Sequence, residues 1–359
     1  MRRRAAARVL ALCTLTALWA STTGAVPAGA QQPTAQAVPG MRYLSDIWCG
    51  RDGSCLAVGI THQVTGGVVV LRADGSSGPV RPVPGTDRLS GIDCPGRGNC
   101  IAVGRGGVVV EVSRDGTPGA SRAAPGTSEL NDVACPTTTT CLATGSLHTW
   151  PPGSAHGVTT NVFTIITNGE PQPARNFPRG TRNASGIDCP TTTGCLVLAA
   201  DGVVVLSDVD GTWRGTLRSV SSSSDAGYPT QGISCSSSTR CYATASGSVQ
   251  TPEGYYGIPG MVPVSTEAVT GPVQVLTNEQ GISNAISCVS GRSCTVVGQE
   301  HTTSQGLSID VFAGMPSTPV VWENVNLFTG VSCIAPGSCG MVGYMPTYAV
   351  FAWHGPVPD

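Results

Sequence analysis

The chain has 359 residues, of which 12% are charged and 5% aromatic, with a formal net charge of −2, no lysine and 15 cysteines. A nucleic-acid partner requires a basic surface that displaces counterions, so that class is set aside. The 47 glycines and 27 prolines stay below the share at which disorder is the better expectation.

Residues 1–30 read as a secretory signal peptide. Arg2, Arg3, Arg4 and Arg8 precede a mostly apolar run from Val9 to Ala20, and the small-residue stretch Ala28 to Ala30 follows. The apolar run is too short to span a bilayer, and no later segment is long enough either. Residues 31–359 are therefore expected to form an exported, soluble domain without a membrane span. Without the four leader arginines, 16 basic residues face 22 acidic ones, a net of −6. Cys13 leaves with the leader. The remaining fourteen cysteines are an even set in an oxidising compartment, where disulfides are the first reading.

These fourteen fall into seven C-x5-C pairs: Cys49/Cys55, Cys94/Cys100, Cys135/Cys141, Cys189/Cys195, Cys235/Cys241, Cys288/Cys294 and Cys333/Cys339. Successive first cysteines are 45, 41, 54, 46, 53 and 45 residues apart, the period of a four-stranded propeller blade. Before them stand LSDIWC, LSGIDC, LNDVAC, ASGIDC, TQGISC, SNAISC and FTGVSC, always with Ile or Val two residues ahead of the cysteine. Such β-branched placement is a strand signal. After the second cysteine come small apolar runs such as CLAVG and CIAVG. A third run follows, as in GGVVVLRADG, and ends in Asp-Gly, a hairpin turn whose two central residues are expected at φ > 0. A short fourth strand, as in GPVRPVPG, completes the unit.

The expected fold class is all-β, a seven-bladed β-propeller with one C-x5-C disulfide hairpin per blade. Each seven-residue ring contributes about 2 kcal/mol by loop entropy. After Cys339 there is room for only two more strands, the last being YAVFAWHG. A strand from residues 34–40 is therefore expected to pair with 348–354 and close the ring, which removes the open edges.

The pattern I-x-C-P-x4-C-x-A-V-G, carried by Ile92 to Gly104, resembles the short propeller repeats of photosystem assembly factors and sialidase-like propellers in a cysteine-stapled form. It is similar to secreted actinobacterial β-propeller proteins. Among these it is similar to the lectin-like propeller adaptor subunits of streptomycete umbrella toxin particles. The resemblance spans residues 34–354. It implies a secreted binding domain whose partner is a glycan or cell-surface polymer, or other secreted proteins of a toxin particle.

In a propeller, the loops from strand two to three and from strand four to the next blade share one face. The cystine hairpins and Asp-Gly turns take the other. The first of these faces varies along this chain. Blades two and four carry the minimal GRGG and AADG, whereas blade three carries SLHTWPPGSAHG, with His148, Trp150 and His156. Blade five carries ASGSVQTPEGYYGIPG, with Tyr255 and Tyr256. The loops between blades add Tyr43, Arg88, Asn131, Arg182, Tyr228 and Phe328. These eleven are the candidate ligand residues, because aromatic rings stack on sugar faces and planar polar groups pair with hydroxyls. The same set suits a wet protein interface. Phe312, Trp322 and Phe351 fall within strand runs and read as core.

Three residues before the first cysteine, five blades carry Gly or Ala, but blades one and three carry Asp46 and Asp132. Two channel carboxylates there either meet a cation or accept hydrogen bonds from neighbouring backbone. No cofactor or metal is implied: the histidines stand singly, and no H-E-x-x-H occurs. No G-x-S-x-G elbow is present, and lysine chemistry is excluded. A non-catalytic role is favoured. A polysaccharide hydrolase or lyase stays as a further alternative, with Asp46 and Asp132 as its only axial carboxylates.

Overall fold

Small apolar second strands make the centre of every blade. In blade two that strand, Cys100–Gly104, is buried at all five residues, and the valines of Val108–Val112 pack beside it. The computed structural model describes residues 34–356 except Arg97, 153–155, Asp201, 210–211, 220–228 and 252–253. It describes only the backbone of 209, 219, 229–230, 246–251 and 254–255. The expected signal peptide, 1–30, lies outside the described residues.

Seven antiparallel sheets form, five of four strands and two, in blades three and six, of five, because there two short outer segments pair with the third strand. The strands follow chain order in all but the seventh sheet. The inner strands are Met41–Cys49, Leu89–Asp93, Glu129–Ala134, Ile187–Thr191, Pro229–Ser237, Gly281–Ser290 and Leu327–Ala335. Each contacts the next, and the seventh contacts the first, so they encircle a central channel. The seventh sheet takes its outer strand from the N-terminal side: Gln36 and Ala37 pair with Phe351 and Val350. The Asn324 side chain clasps this segment. Its Nδ2 donates to the Ala35 carbonyl at 2.6 Å, and its Oδ1 accepts from the Ala35 N–H at 3.3 Å. Among the described residues no helix is long and apolar enough to cross a membrane.

All seven expected disulfides form, each across six positions of sequence between the first two strands of its blade: Cys49–Cys55, Cys94–Cys100, Cys135–Cys141, Cys189–Cys195, Cys235–Cys241, Cys288–Cys294 and Cys333–Cys339. Their hairpins lie beside the Asp-Gly turns, as where Ala73 N–H donates to the Gly53 carbonyl and Arg114 to those of Gly96 and Gly98, but the cystines also reach into the core. The second cysteine of each pair, Cys55, Cys100, Cys141, Cys195, Cys241, Cys294 or Cys339, is buried, since it begins the small apolar second strand. These sulfurs are structural. They also do something the loop-entropy estimate omits: the cystines are packing elements between blades. Cys94 and Cys100 share a core cluster with Leu56 of blade one, and Cys195 shares one with Leu142 of blade three. At the equivalent position blade seven has Gly340, where a Cβ would come within 2.8 Å of Cys49 Sγ and 3.1 Å of Cys55 Sγ.

The glycine ending each C-x-A-V-G run has a steric cause. The inner strand bulges toward it, with register shifts at Leu44/Asp46, Leu89/Gly91 and Leu130/Asp132. A Cβ at Gly59, Gly104 or Gly145 would fall 2.0 Å from the carbonyl oxygen of Tyr43, Arg88 or Glu129. Blades four and five have Ala199 and Ala245 instead. There the inner strand departs from the pattern: blade four pairs only from Ile187, and blade five skips from Pro229 to Ile233.

The Asp-Gly turns differ from expectation. At Asp74-Gly75 and Asp115-Gly116 only the glycine has positive φ, 86° and 81°. The aspartate instead caps the turn with its side chain: Asp74 Oδ1 accepts from Ser76 N–H and Asp115 Oδ1 from Thr117 N–H. This is the Asx alternative to a two-residue turn with both residues left-handed.

Candidate functional site

The bulge fixes where the inner strands aim their polar groups. The residue four before each first cysteine is Ser45, Ser90, Asn131, Ser185, Gln231, Asn284 or Thr329, polar in every blade, and all seven line one cavity of about 330 Å³ inside the channel. A second cavity of about 380 Å³ shares Ser45, Arg88, Ser90, Gln231, Asn284 and Thr329 with it and extends it to the loop face. Together they make a funnel of the size small ligands occupy. Three of the polar side chains are used between blades. Asn131 donates to the Ala184 carbonyl at 3.0 Å, Asn284 to that of Phe328 at 3.1 Å, and Thr329 to that of Leu44 at 2.7 Å. The hydroxyls of Ser45 and Ser90 and the Nε of Arg88 are buried and have no hydrogen-bond partner in the protein.

The rim of the funnel carries two of the expected residues. Tyr43 stacks with Tyr344 at 4.8 Å between ring centroids, tilted by 38°. Burial, then the neighbouring Tyr344, raises the Tyr43 phenol above its usual pKa, while Arg88 opposes the shift. Arg88 reaches across to blade three and pairs with Glu129.

The channel below is built from backbone latches. An inner strand pairs on one edge only, and each free edge is met by the blade before it. Asp46 accepts from its own Ile47 N–H and from Ile92 of blade two, at 2.8 and 2.9 Å. Asp132 does the same with Val133 and Ile187 of blade four. Between these, Asp93 bridges Cys94 and Cys135, and Asp188 bridges Cys189 and Cys235. The last three gaps use hydroxyls: Ser234 accepts from Cys288 N–H, Ser287 from Cys333 and Ser332 from Cys49. All seven gaps are thus bridged. Asp46 and Asp132 stand in the two blades whose residue before the cysteine, Trp48 or Ala134, cannot accept.

The carboxylates are half-buried, facing the channel. Burial pushes Asp46 and Asp93 up to about 6 and Asp188 up to about 7. Asp132 rises well above its usual value, first through burial and then through the charge of Asp46.

The other expected residues lie elsewhere. The stretches of blades three and five that read as loops are β-hairpins, Thr140–Thr149 with Val158–Thr167 and Arg240–Thr251 with Gly254–Val264, since both flanking strands continue outward in register. On the first, Trp150 is 74% exposed, and its indole lies against Gly157, where a Cβ would be 3.3 Å from the ring. His148 is exposed but fixed, Nε2 to Ser146 Oγ at 3.1 Å and Nδ1 to Thr159 Oγ1 at 2.9 Å. His156 and Arg182 are exposed, and Tyr256 is half-buried. Tyr228 and the side chain of Tyr255 lie outside the described residues.

Two assignments change. Phe328 is fully buried, edge-on to Trp322 at 5.6 Å, and belongs to the core. Phe312, read as core, is 62% exposed because it ends its strand beyond the packed layer. Among the described residues no group of three or more His, Cys, Asp or Glu could hold a metal ion.

No family model matches this sequence, and no curated protein does. Solved structures do. The Neurospora crassa Pan2 WD40 domain superposes with a TM-score of 0.62 at 12% identity, over 91% of this chain and 95% of that one. YCF48 bound to D1 peptide gives 0.58 at 11%, over 92% and 99%. Virginiamycin B lyase from Staphylococcus aureus gives 0.61 at 9%, over 90% and 99%. At these identities they establish the β-propeller fold. One neighbour holds a peptide and another is a lyase.

Proposed function

We propose that this chain is a secreted, non-catalytic binding module of lectin type that takes a glycan or cell-surface polymer at the loop-face funnel of its channel. One observation carries the reading: every blade contributes a polar side chain to a single cavity, and Ser45, Ser90 and Arg88 retain unpaired polar atoms there. An unpaired buried polar group costs about 1–3 kcal/mol. A ligand hydroxyl offering both donor and acceptor relieves that cost. The Tyr43–Tyr344 pair at the rim supplies a stacking surface for a pyranose face. Trp150, backed on one side by Gly157, supplies a second on the hairpin of blade three.

Screening the purified protein against a glycan array tests this directly. Binding should weaken at least tenfold in a Ser45→Ala/Ser90→Ala variant, equivalent to about 1.4 kcal/mol, with thermal stability retained. No bound glycan, or a hit unaffected by the variant, would overturn the reading. Secretion is tested by sequencing the N-terminus of protein from culture medium, which should begin at Gln31.

A second reading, an adaptor within a larger secreted complex, is favoured by apolar side chains on and beside the outer strands of blades five and six. Val275 and Met315 lie on those strands, Val269 in the connection before one and Phe312 at the end of the third strand of blade six. Val269, Val275, Phe312 and Met315 are 65, 41, 62 and 69% exposed. Gln274 donates to the carbonyl of Gly314, which joins those two outer regions. Co-elution of large secreted chains with the native protein, lost in Phe312→Ser, would support it.

A further inference from the structure

The glycan reading leaves the floor of the funnel unexplained. The inner cavity is lined by Asp46 and Asp132, and its single basic lining residue, Arg88, is already neutralised by Glu129. Asp93 and Asp188 sit farther down on the same half of the ring, with Arg114 acting on Asp93. A cleft lined by one sign of charge focuses its field on an incoming ligand of the opposite sign.

We propose that the funnel selects glycans bearing a free amine, whose ammonium group is held between Asp46 and Asp132. This rests on the glycan reading above and adds the class of sugar. Each carboxylate oxygen of the two residues accepts one backbone N–H, at 2.8–2.9 Å. An ionised carboxylate oxygen has capacity for a second donor. The ammonium brings three donors and no acceptor, and the unpartnered Ser45 and Ser90 hydroxyls adjoin the same cavity. The neighbours at this level are kept small. A Cβ at Gly91 would lie 3.0 Å from Asp132 Oδ1, and one at Gly330 would lie 3.2 Å from Asp46 Oδ1. The charge of Asp46 already acts on Asp132, and a cation between them removes that repulsion. A divalent metal is a poorer match, because two carboxylates engaged with backbone supply too few ligands for the six to eight that a hard cation takes.

The test is calorimetric titration of the full chain with a glucosamine tetramer and with its N-acetylated counterpart, above about pH 6, where Asp46 gives up its proton. The amine form should bind about tenfold more tightly, as an ion pair of this kind contributes on the order of 1 kcal/mol or more. The preference should vanish in Asp46→Asn/Asp132→Asn and shrink as salt is raised. Equal binding of the two sugars, or binding of neither, would overturn the amine selectivity; the glycan reading falls only if the array also yields no bound glycan. If the double variant does not fold, the salt series decides, since a preference unchanged by salt is not an ion pair.

Discussion

The channel carboxylates give the protein an inverted response to acid. Consider Asp188, whose carboxyl rises from 3.8 to about 7 because burial outweighs its two N–H contacts. In the folded state it binds its proton more tightly than in the unfolded chain. Between pH 3.8 and about 7, folding takes up a proton, so stability is fully present at the acid end and is lost as pH rises through the folded value. At about 1.4 kcal/mol per unit the full shift corresponds to on the order of 4 kcal/mol. Water at the channel edge screens part of it, leaving about 1–2 kcal/mol as the working figure. Asp46 and Asp93 act in the same direction. So does His354, raised by its 2.7 Å contact with Asp310, whose contribution is likewise lost as pH rises.

Thermal unfolding should therefore occur a few degrees higher at about pH 5 than at about pH 8. The substitution Asp188→Ser isolates one group, because Ser234, Ser287 and Ser332 make the same bridge to a cysteine N–H without charge. We expect the variant to gain about 1–2 kcal/mol at the alkaline end and little at the acid end. A wild-type protein that loses stability over that range on acidification, or a variant equally destabilised at both ends, would refute the reasoning.

Further expectations follow from packing. Gly104→Ala should cost about 3 kcal/mol or more by chemical denaturation, since its Cβ would overlap the Arg88 carbonyl, whereas Ala245→Gly should cost less than about 1 kcal/mol. Phe328→Ala should cost about 3–5 kcal/mol and Trp150→Ala less than about 1 kcal/mol in the same assay; the reverse order would place Trp150, not Phe328, in the core. Asn324→Ala removes both hydrogen bonds to Ala35 and should accelerate amide exchange in Tyr348–His354 before it affects the other blades.

The blade count, the pairing of the cysteines and the N-terminal closing strand were legible because each is periodic, and a period of about 45 residues averages over local noise. The depth of the cystines was less so: spacing alone puts a C-x5-C pair at a turn, and burial of Cys55 or Cys241 shows only when the next blade packs against it. The ring of polar residues was equally periodic. In LSDIWC, LNDVAC and FTGVSC the position four before the cysteine is polar throughout, yet it attracts notice only once the bulge that turns it into the channel is known. The same alignment places Phe328 with Leu44, Leu89 and Leu130, all fully buried, so its core role was readable from the repeat. The length of the blade-three and blade-five hairpins was not. Gly- and Pro-rich composition argues for a loop, and only the cross-strand partners from Thr149↔Val158 inward show that pairing wins. The Asp46 and Asp132 latches were legible in part, since accepting backbone hydrogen bonds was one of the two readings open in the sequence, but the donors across the blade gap were not. Their partners, Ile92 and Ile187, are backbone groups of another repeat, which no side-chain pattern reveals.

The clasp around Ala35 has a consequence for biogenesis. The groups that close the circle are 289 residues apart in sequence, and the N-terminal one is synthesised first. It must wait, unpaired, until nearly the whole polypeptide has emerged. An ordinary edge strand waiting that long would recruit neighbouring chains, but this one offers only Gln36 and Ala37 to a partner. Its brevity makes it a poor template for the wrong chain, and the side-chain amide of Asn324 supplies the hold that so short a pairing lacks.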